Sequence, residues 1–489
     1  MSQTQLVVIG AGPGGYAAAF YAADLGMQVA LVDTELNPGG VCLYRGCIPS
    51  KALLHVAKVI TEAKHASAWG ISYGDPKIDL DTLRGFKDAV VQKLTGGLGQ
   101  LSKQRKITYI RGRASFRDAK TVEIALTDPS TGSGQAATQT LSFEHAIVAT
   151  GSRPARVPGL SLESDRVMDS TSGLDLPDIP KSLLVVGGGY IGLELGSVYA
   201  ALGTKVTVVE MTPGLLPGAD RDLVTYLARR MEQTLHKVLT SARVVEMNEV
   251  KSGKSTAVQV RIEGEGLADA DTTQTFDRVL VSVGRKPNSQ IEGLDRTAVK
   301  VGERGFLQVD AAMRTAEPSI FAIGDVVGEP MLAHKASHEA RVAVEAALGH
   351  KVAFEPQAIP AVVFTDPEVA WAGLTETEAR TQGREVEIAK FPWAALGRAI
   401  AIDRPDGLTK LVIEPGTERI LGVGIVGSGA GELIAEGVLA VEMAALATDL
   451  KLSIHPHPTL SETLMEAAEV FFGHSTHVHR PKKRAQASP

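Results

Sequence analysis

Residues 5–15 read QLVVIGAGPGG, a short apolar run that leads directly into a glycine-rich turn. The run predicts a buried strand, and the Ala-rich segment 16–25 predicts a helix that ends before Gly26 as its C-cap. A second apolar run then ends at Asp33, which follows Gly10 by 23 positions. Strand, glycine turn, helix, strand and acid in this order predict a unit that binds a dinucleotide.

Each glycine of this turn has a physical role. Gly10 permits the tight turn, Gly12 lets the backbone approach a diphosphate, and Gly15 lets the helix pack closely on the strand. The helix N-terminus offers free N–H groups to phosphate oxygens. Asp33 can accept hydrogen bonds from a ribose diol.

The same pattern occurs a second time. Residues 183–192 read LLVVGGGYIG, with Gly187, Gly189 and Gly192 in the turn, and Glu210 follows Gly187 by 23 positions. One glycine-rich turn is a weak signal, but two complete units with matching spacing predict two bound dinucleotides. No Arg or Lys follows in the next three positions, so the acid favours NAD over NADP in this unit.

The chain has only two cysteines in 489 residues, Cys42 and Cys47, just after the first unit. So few cysteines exclude a disulfide scaffold. Taken alone, the pair could be two buried apolar thiols or half of a zinc site, although zinc requires four ligands. The neighbouring nucleotide units favour a disulfide that opens and closes during turnover, with a tightly held flavin in the first unit.

Composition sets broad limits on fold and function. The length predicts about three domains, and 44% hydrophobic with 22% charged residues is ordinary for a globular enzyme. A net charge of −6 gives no electrostatic footprint for nucleic acid. No apolar run approaches the roughly 18 residues of a membrane span. We expect no signal peptide, because the first strand lies so close to the amino terminus, and we predict a cytoplasmic location.

Three further motifs carry a family resemblance. Residues 39–51, GGVCLYRGCIPSK, resemble the redox-active disulfide segment of the pyridine nucleotide–disulfide oxidoreductases; residues 315–325 resemble the second flavin signature of that family, and residues 455–462 its C-terminal base motif. The resemblance covers nearly the whole chain. It implies an α/β fold with two Rossmann-like dinucleotide-binding domains, the second inserted in the first, and a C-terminal α+β dimerisation domain.

The resemblance also implies a domain layout. Gly151 and Gly284 end apolar runs that look like chain crossings at the borders of the inserted domain, and residues 127–140 predict an exposed hairpin loop. The predicted divisions are an FAD-binding domain at 1–150 and 280–350, an NAD-binding domain at 151–279, an interface domain at 351–475 and a flexible basic tail at 476–489.

Residue roles follow from the matching motif positions. Cys42 would exchange with the substrate sulfur, Cys47 would lie against the flavin, and His457 would act as the base, oriented by Glu462. In the family the base comes from the other subunit, which implies an obligate homodimer. Lys51 and Glu194 would form an ion pair beside the flavin N5 edge, and Asp325 would bind the ribityl chain. The implied cofactor-binding positions are Gly10, Gly12, Gly15, Asp33, Lys51, Gly151, Asp325 and Ala333 for FAD, and Gly187, Gly189, Tyr190, Gly192, Glu210 and Gly284 for NAD.

Within the family, the chain most resembles the dihydrolipoyl dehydrogenases, by the two histidines of its base motif, by residues 331–336 and by the acid Glu210. That resemblance implies oxidation of dihydrolipoamide carried on an E2 acyltransferase, with reduction of NAD. One alternative is an NADH-dependent reductase of another disulfide, which Tyr190 and Arg45 keep open. Another is a non-catalytic redox sensor, which would not need the acid–base pair.

Some positions depart from the family pattern. Tyr44 and Arg45 stand where an Asn and a small apolar residue are usual; Arg45 could lower the pKa of a thiol, but we expect it to point to solvent. Asp33 replaces a more usual Glu. Tyr190 resembles the glutathione reductase arrangement, in which the ring covers the flavin until nicotinamide enters. The tail, with histidines at 474, 477 and 479 and a basic run, predicts a frayed solvated end, and we expect no metal, nucleic-acid or membrane partner.

Overall fold

The computed structural model describes residues 2–127, 137–157, 159–252 and 255–479. Its strands are β1 (Ser2–Ile9), β2 (Val29–Asp33), β3 (Thr108–Asp118), β4 (Thr121–Leu126), β5 (Thr138–Val148), β6 (Ser152–Pro154), β7 (Val167–Met168), β8 (Ser182–Val186), β9 (Lys205–Val209), β10 (Lys237–Leu239), β11 (Ala242–Ser252), β12 (Ser255–Gly264), β13 (Thr273–Phe276), β14 (Arg278–Val281), β15 (Arg285–Pro287), β16 (Ile320–Ala322), β17 (Ala361–Val363), β18 (Glu368–Gly373), β19 (Glu387–Pro392), β20 (Leu408–Ile413) and β21 (Ile420–Gly427).

The helices lie between these strands and cover the sheets. They are α1 (Pro13–Asp24), α2 (Gly40–Arg45), α3 (Cys47–His65), α4 (Leu80–Gln104), α5 (Tyr190–Ala201), α6 (Arg221–Thr234), α7 (Asp269–Thr272), α8 (Ala333–Ala347), α9 (Glu376–Thr381), α10 (Gly397–Ala401), α11 (Ala430–Glu442), α12 (Ala447–Leu452) and α13 (Glu462–Phe472). Within the described ranges, no helix is both long and apolar enough to cross a membrane.

The first sheet is a parallel sheet in the order β3-β2-β1-β5-β16, and β4 adds an antiparallel excursion between the far halves of β3 and β5. The last four residues of β1 are fully buried, as expected for a strand covered on both faces by helices. Here α1 and α8 cover one face, packed against each other. Most of the predicted loop at 127–140 lies outside the described residues.

The second sheet is parallel throughout, in the order β10-β9-β8-β14-β7. A three-stranded antiparallel sheet, β11-β12-β13, is attached to it. Strand β14 spans the predicted border at 279/280 and pairs with β8, so it belongs to the second sheet. Strands β6 and β15 pair antiparallel where the chain leaves and re-enters the first unit.

The third unit is an antiparallel sheet in the order β17-β18-β21-β20-β19 with α11 and α13 against it. An ion-pair network fastens this unit to the second. Lys410 of β20 is only 1% exposed, and its Nζ lies 2.6 Å from Asp220 Oδ2, 2.8 Å from Asp222 Oδ1 and 3.4 Å from Glu376 Oε2. The cluster of three carboxylates therefore surrounds a buried ammonium group. Asp220 also accepts from the Glu376 and Thr377 N–H groups, so it caps α9 from another domain.

The architecture confirms the predicted fold class, with two Rossmann-like sheets and a C-terminal α+β unit. One apolar core runs through the contact of all three units: it joins Leu53 of α3, Leu223 of α6 and Val426 of β21, all at most 1% exposed. Because these side chains interdigitate, the three units meet as packed surfaces around the site described next.

Candidate active site

The first glycine turn has the geometry that its sequence predicted. Gly10 has φ +98°, and an added Cβ there would lie 2.3 Å from the Ala149 carbonyl oxygen. An added Cβ at Gly15 would lie 1.8 Å from the Gly10 oxygen. The Ala11 N–H donates to Asp33 Oδ2 at 2.6 Å, so the acid is tied to the turn. Burial raises the pKa of this Asp33 carboxyl, against the lowering effect of that N–H.

One continuous cavity extends from this turn past the cysteines to the second unit. It brings together many of the predicted site residues, which come from all parts of residues 10–336. The predicted residues that line it are Gly10, Gly12, Asp33, Cys42, Cys47, Lys51, Gly151, Tyr190, Glu194, Asp325 and Ala333. The predicted residues that do not line it are Gly15, Gly187, Gly189, Gly192, Glu210, Gly284, His457 and Glu462.

The two cysteines lie on consecutive helices, Cys42 in α2 and Cys47 as the first residue of α3. Both are free thiols in this structure. The hydrogen bond from Cys42 and the Lys51 ammonium together lower the pKa of Cys47 to about 7, against the raising effect of burial. The same hydrogen bond and burial raise the pKa of the Cys42 thiol. When the pair is reduced, the negative charge is therefore held on Cys47.

The Lys51 ammonium and the Glu194 carboxylate form a contact at the meeting point of the three units. Lys51 Nζ lies 2.8 Å from Glu194 Oε2, and the glutamate side chain is only 4% exposed. Ser50 Oγ donates to the same oxygen at 3.0 Å, and the Phe364 N–H donates to Oε1 at 3.0 Å. Lys51 Nζ also lies 4.4 Å from the centre of the Phe364 ring. Both oxygens of the buried Glu194 carboxylate therefore have partners, as a buried charge requires, while the Lys51 side chain stays 32% exposed.

Another part of the cavity wall is built around Asp325. Ser152 Oγ donates to Asp325 Oδ2 at 2.5 Å, and Arg285 Nε donates to Ser152 Oγ at 2.7 Å. Arg285 also bonds the Ser152 carbonyl at 2.8 Å, across the β6–β15 pairing. Gly151 has φ +69°, and an added Cβ there would meet no atom within 4 Å, so its backbone is open to the cavity. Ala333, the first residue of α8, lines the same cavity.

These features fit the FAD predicted from the sequence. Gly12 and Gly151 present open backbone, Asp33 offers an acceptor for a ribose diol, and Asp325 offers one for a ribityl chain. A single cavity lined by both acceptors, by open glycine backbone and by the two thiols suits a flavin dinucleotide. The residues that would hold it come from the first sheet and from α1, α2, α3 and α8.

The second glycine turn repeats the first in detail. Gly187 has φ +108°, and an added Cβ there would lie 2.6 Å from the Ser282 oxygen. The Gly188 N–H donates to Glu210 Oε2 at 2.6 Å, and the Thr212 N–H and hydroxyl donate to Oε1 at 2.8 and 2.7 Å. An added Cβ at Gly189 meets nothing within 4 Å. The turn therefore fits NAD, whose diphosphate would lie over Gly189.

Other predicted NAD positions lie around this turn. An added Cβ at Gly192 would lie 2.2 Å from the Gly187 oxygen, which makes it the close-packing glycine of the turn. Gly284 has φ +114° at the end of β14 and leads into Arg285. Tyr190 is the first residue of α5, but its side chain lines the flavin cavity. Burial raises the pKa of Tyr190 to about 12, so its hydroxyl is neutral at physiological pH.

His457 and Glu462 are paired outside the cavity. His457 Nδ1 lies 2.9 Å from Glu462 Oε1, and the imidazole is 74% exposed while the carboxylate is 12% exposed. The Thr459 N–H donates to Glu462 Oε2 at 2.8 Å. Although burial raises the pKa of the Glu462 carboxyl, the Thr459 N–H and the imidazole hold it below its usual value. Glu462 thus fixes Nδ1 as the donor, which leaves Nε2 free as the acceptor.

Arg45 is partly in solvent, as expected, since its side chain is 40% exposed. The guanidinium also pairs with the Glu35 carboxylate and lines the cavity, which had not been predicted. Tyr44 is also engaged, since its hydroxyl accepts from Asn37 N–H at 3.2 Å and donates to Asn37 O at 3.0 Å. The cation that acts on both thiols is Lys51.

Residues 476–479 of the predicted tail are described, and His477 Nδ1 lies 2.5 Å from Glu466 Oε1. Residues 480–489 lie outside the described ranges.

Several contributing residues had not been predicted from the sequence. They are Ser50, Ser152, Arg285, Phe364 and Thr459. Ser50 lies inside the quoted motif and could have been found there. Phe364 reaches Glu194 across 170 positions of sequence, and no local pattern indicates that contact.

The chain is similar to known proteins over nearly its whole length. Residues 4–340 match the family model described as pyridine nucleotide-disulphide oxidoreductase, and residues 359–468 match its dimerisation domain. The chain is 47% identical over 482 residues to a dihydrolipoyl dehydrogenase of Haemophilus influenzae, covering 99% of this chain and 98% of that protein. It is 45% identical to one of Geobacillus stearothermophilus over 97% of this chain and 98% of that protein.

Solved structures agree with the sequence matches. LpdA from Mycobacterium tuberculosis has a TM-score of 0.86 at 26% identity, over 96% of this chain and 100% of that chain. The Cu(II) complex of the HOCl-induced flavoprotein disulfide reductase RclA from Escherichia coli has a TM-score of 0.83 at 26% identity, with the same coverage. The family resemblance found in the sequence is confirmed: this chain belongs to the pyridine nucleotide–disulphide oxidoreductase family.

Proposed function

We propose that this protein is an FAD- and NAD-dependent dihydrolipoyl dehydrogenase, which oxidises dihydrolipoamide to lipoamide through a Cys42–Cys47 disulfide. The observation that carries the proposal is the single cavity that joins the first glycine turn, both cysteines and the start of α5 in the second unit. Relatives that match nearly the full chain have this name. The substrate would arrive on the lipoyl group of an E2 acyltransferase, in the cytoplasm.

The thiol chemistry follows from the charges around the two sulfurs. A substrate thiolate attacks Cys42 Sγ, the S–S bond breaks, and Cys47 leaves as the thiolate. A thiol of lower pKa leaves faster, and the pKa of Cys47 is lowered to about 7. The second substrate thiolate then attacks the substrate sulfur of the mixed disulfide and releases Cys42, whose raised pKa favours reprotonation. Bound FAD would carry the electron pair from the reduced cysteines to NAD.

The proton from each substrate thiol requires a base beside Cys42. His457 suits this role because Glu462 holds Nδ1 and leaves Nε2 free. Within the described residues, neither side chain lines the cavity that contains Cys42. A second copy of the chain supplies His457 in this proposal, in agreement with the match of residues 359–468 to a dimerisation domain. The working enzyme is then a homodimer.

The domain roles are part of the proposal. Residues 1–150 with 280–350 are predicted to hold FAD, residues 151–279 to hold NAD and residues 351–475 to form the interface domain. The pairing of β14 with β8 moves the predicted border at 279/280 to a position after Val281. Lys51 and Glu194 hold a fixed charge pair at the junction, and Ser50 and Phe364 keep that pair in place.

The test is NADH formation by the purified yellow protein with dihydrolipoamide and NAD. We expect rapid turnover in the wild type and a loss of roughly 10²–10⁴-fold in His457→Gln, the usual contribution of a general base. His474→Gln is the matched control, because His474 is also an exposed histidine and lies just beyond α13. No NADH from the flavin-loaded wild type would overturn the proposal and favour an NADH-dependent reductase of another disulfide.

A further inference from the structure

Arg45 is the cation of the flavin cavity that has no role in the mechanism above. The basic side chains that line the cavity are Arg45, Lys51 and Arg285. Lys51 is held by Glu194 and Arg285 by Ser152. Arg45 forms an ion pair with Glu35. The arginine side chain is 40% exposed and the glutamate side chain is 24% exposed. A partly exposed pair of this kind contributes little to stability, so it does not by itself explain the arginine.

Arg45 is the last residue of α2, a helix that begins beside the first glycine turn. Gly40, the first residue of α2, lies against Gly12: an added Cβ at Gly40 would be 2.4 Å from the Gly12 Cα. Val41 and Arg45 both line the cavity, as expected for residues four apart on one helix face. The Tyr44 hydroxyl bonds both the N–H and the carbonyl of Asn37, so the loop after β2 is fastened to α2.

The charges at this end require a cation when a dinucleotide binds. A diphosphate brings negative charge into a space that already contains the Asp33 and Glu35 carboxylates. Helix α1 offers the partial positive charge of its N-terminus. A guanidinium matches phosphate oxygens with two parallel N–H groups, and Arg45 is the lining guanidinium on α2, the helix whose first residue lies against Gly12.

We propose that Arg45 binds the diphosphate of FAD, and that its guanidinium exchanges the Glu35 carboxylate for phosphate oxygens when the cofactor enters. This inference rests on the proposed function, since it takes FAD as the ligand of the first unit. It makes Arg45 a cofactor-retention residue and Glu35 its resting partner. A competing role would be neutralisation of Glu35 alone, with no contact to phosphate, and the two roles predict different double variants.

The experiment measures FAD release from purified holoenzyme after dilution, followed by the fluorescence of free flavin, at low and high NaCl. The variants are Arg45→Leu, Arg45→Lys, Glu35→Gln and the double variant Arg45→Leu/Glu35→Gln. We expect release to be on the order of tenfold faster in Arg45→Leu, which loses a charged hydrogen bond. Arg45→Lys should be intermediate, and Glu35→Gln no faster than the wild type. The double variant should release FAD as fast as Arg45→Leu. High salt should narrow the difference in release rate between the wild type and Arg45→Leu.

Two results would overturn the inference. Release at the wild-type rate in the double variant would show that Arg45 only neutralises Glu35. Equal rates of FAD release from the wild type, Arg45→Leu and Arg45→Lys would show that the guanidinium does not touch the cofactor. If Arg45→Leu does not fold, the comparison of Arg45→Lys with the wild type decides. The assay contains no thiol substrate, so failure of the dihydrolipoamide reaction leaves it intact. A wild type that purifies without FAD overturns both proposals.

Discussion

The two nucleotide units share their local geometry almost completely. In both, the first glycine has positive φ, +98° at Gly10 and +108° at Gly187. In both, the N–H of the next residue donates to the acid at the end of the second strand, at 2.6 Å. Matching spacing therefore gives matching backbone, because the turn, the helix and the acid are constrained by one another.

The units differ in what packs around the turn. In the first, Gly40 lies against Gly12 and brings the cysteine helix to the cavity. In the second, the acid is the more enclosed group: Glu210 is 8% exposed, and an added Cβ at Gly188 would lie 2.8 Å from the Leu215 side chain. Under the proposed function, the same local geometry would serve an enclosed cofactor in the first unit and an exchanging cofactor in the second, and the elements packed around each turn would make the difference.

The units also differ in how they are fastened. The first is continuous with α3, which carries Lys51, whereas the second is tied to the third unit by the Asp220–Lys410 network.

We expect Lys410→Met to have the largest effect on stability, about 3–5 kcal/mol, because breaking a buried pair leaves its partners uncompensated. Urea unfolding measures this loss of unfolding free energy as a change in the midpoint urea concentration. Lys390→Met is the matched control, since Lys390 is 40% exposed and pairs with Asp222 at 2.7 Å; it should cost under about 1 kcal/mol.

The pH dependence of this network has a defined sign. Although burial raises the pKa of the Asp220 carboxyl, the Lys410 and Thr377 donors lower it to about 2. A folded-state pKa below the unfolded one stabilises the fold above the unfolded pKa, near 3.8, and this stabilisation is lost as pH falls towards 2. Acid should therefore remove much of the difference in unfolding free energy between Lys410→Met and the wild type. If Lys410→Met and Lys390→Met lose equal unfolding free energy at neutral pH, the Lys410 network does not stabilise the fold as expected.

The sequence predicted what depends on short-range order. Both glycine turns, the acids at 33 and 210 and the helix that begins beside each turn follow from periodicity and from the φ that glycine permits. The complete α/β fold class came from the family resemblance. The Lys51–Glu194 contact came from the family resemblance, and its distance agrees with an ion pair. Its role beside a flavin stays a prediction.

The sequence could not predict contacts that depend on packing between distant segments. Phe364 reaches Glu194 because β17 of the third unit lies at the junction. Arg45 pairs with Glu35 because the loop that follows β2 lies against α2. Ser152 and Arg285 meet because β6 pairs with β15, 133 positions apart. In each case the partner is fixed by tertiary structure, which no local pattern encodes.

A substitution of the second glycine in each turn should separate the two cofactors. Gly12 and Gly189 have ordinary negative φ, and an added Cβ meets no atom closer than 4.0 Å, so Gly12→Ala and Gly189→Ala should fold. Each methyl group would occupy the place of a diphosphate, at about 1–3 kcal/mol. Gly12→Ala should purify with little FAD, measured by absorbance. Gly189→Ala should stay yellow and be reduced by dihydrolipoamide, with a raised KM for NAD. Loss of flavin from Gly189→Ala would reverse the assignment.

The two acids give a smaller and more specific contrast. Asp33→Asn should speed FAD release, and Glu210→Gln should raise the KM for NAD, each on the order of tenfold, or about 1.4 kcal/mol. Glu210→Gln should also narrow the preference for NAD over NADP, because it removes the charge that repels a 2′-phosphate. Steady-state kinetics with both nucleotides measures it. An unchanged NAD to NADP ratio would mean that the Glu210 charge does not discriminate.

Tyr190 should give the smallest effect, and it tests where the two units meet. It begins the helix of the second unit but lines the cavity of the first, and it is 42% exposed there. If the ring covers the flavin, Tyr190→Ala should raise NADH oxidation by oxygen several-fold, about 1 kcal/mol for the lost ring packing. Tyr190→Phe keeps the ring and should match the wild type, because the neutral hydroxyl supplies no charge. Equal effects of the two variants would instead assign the role to the hydroxyl and its neighbours, Arg285 and Asp325. The ring would then be part of the wall of the cavity, and entry of the nicotinamide would not depend on its movement.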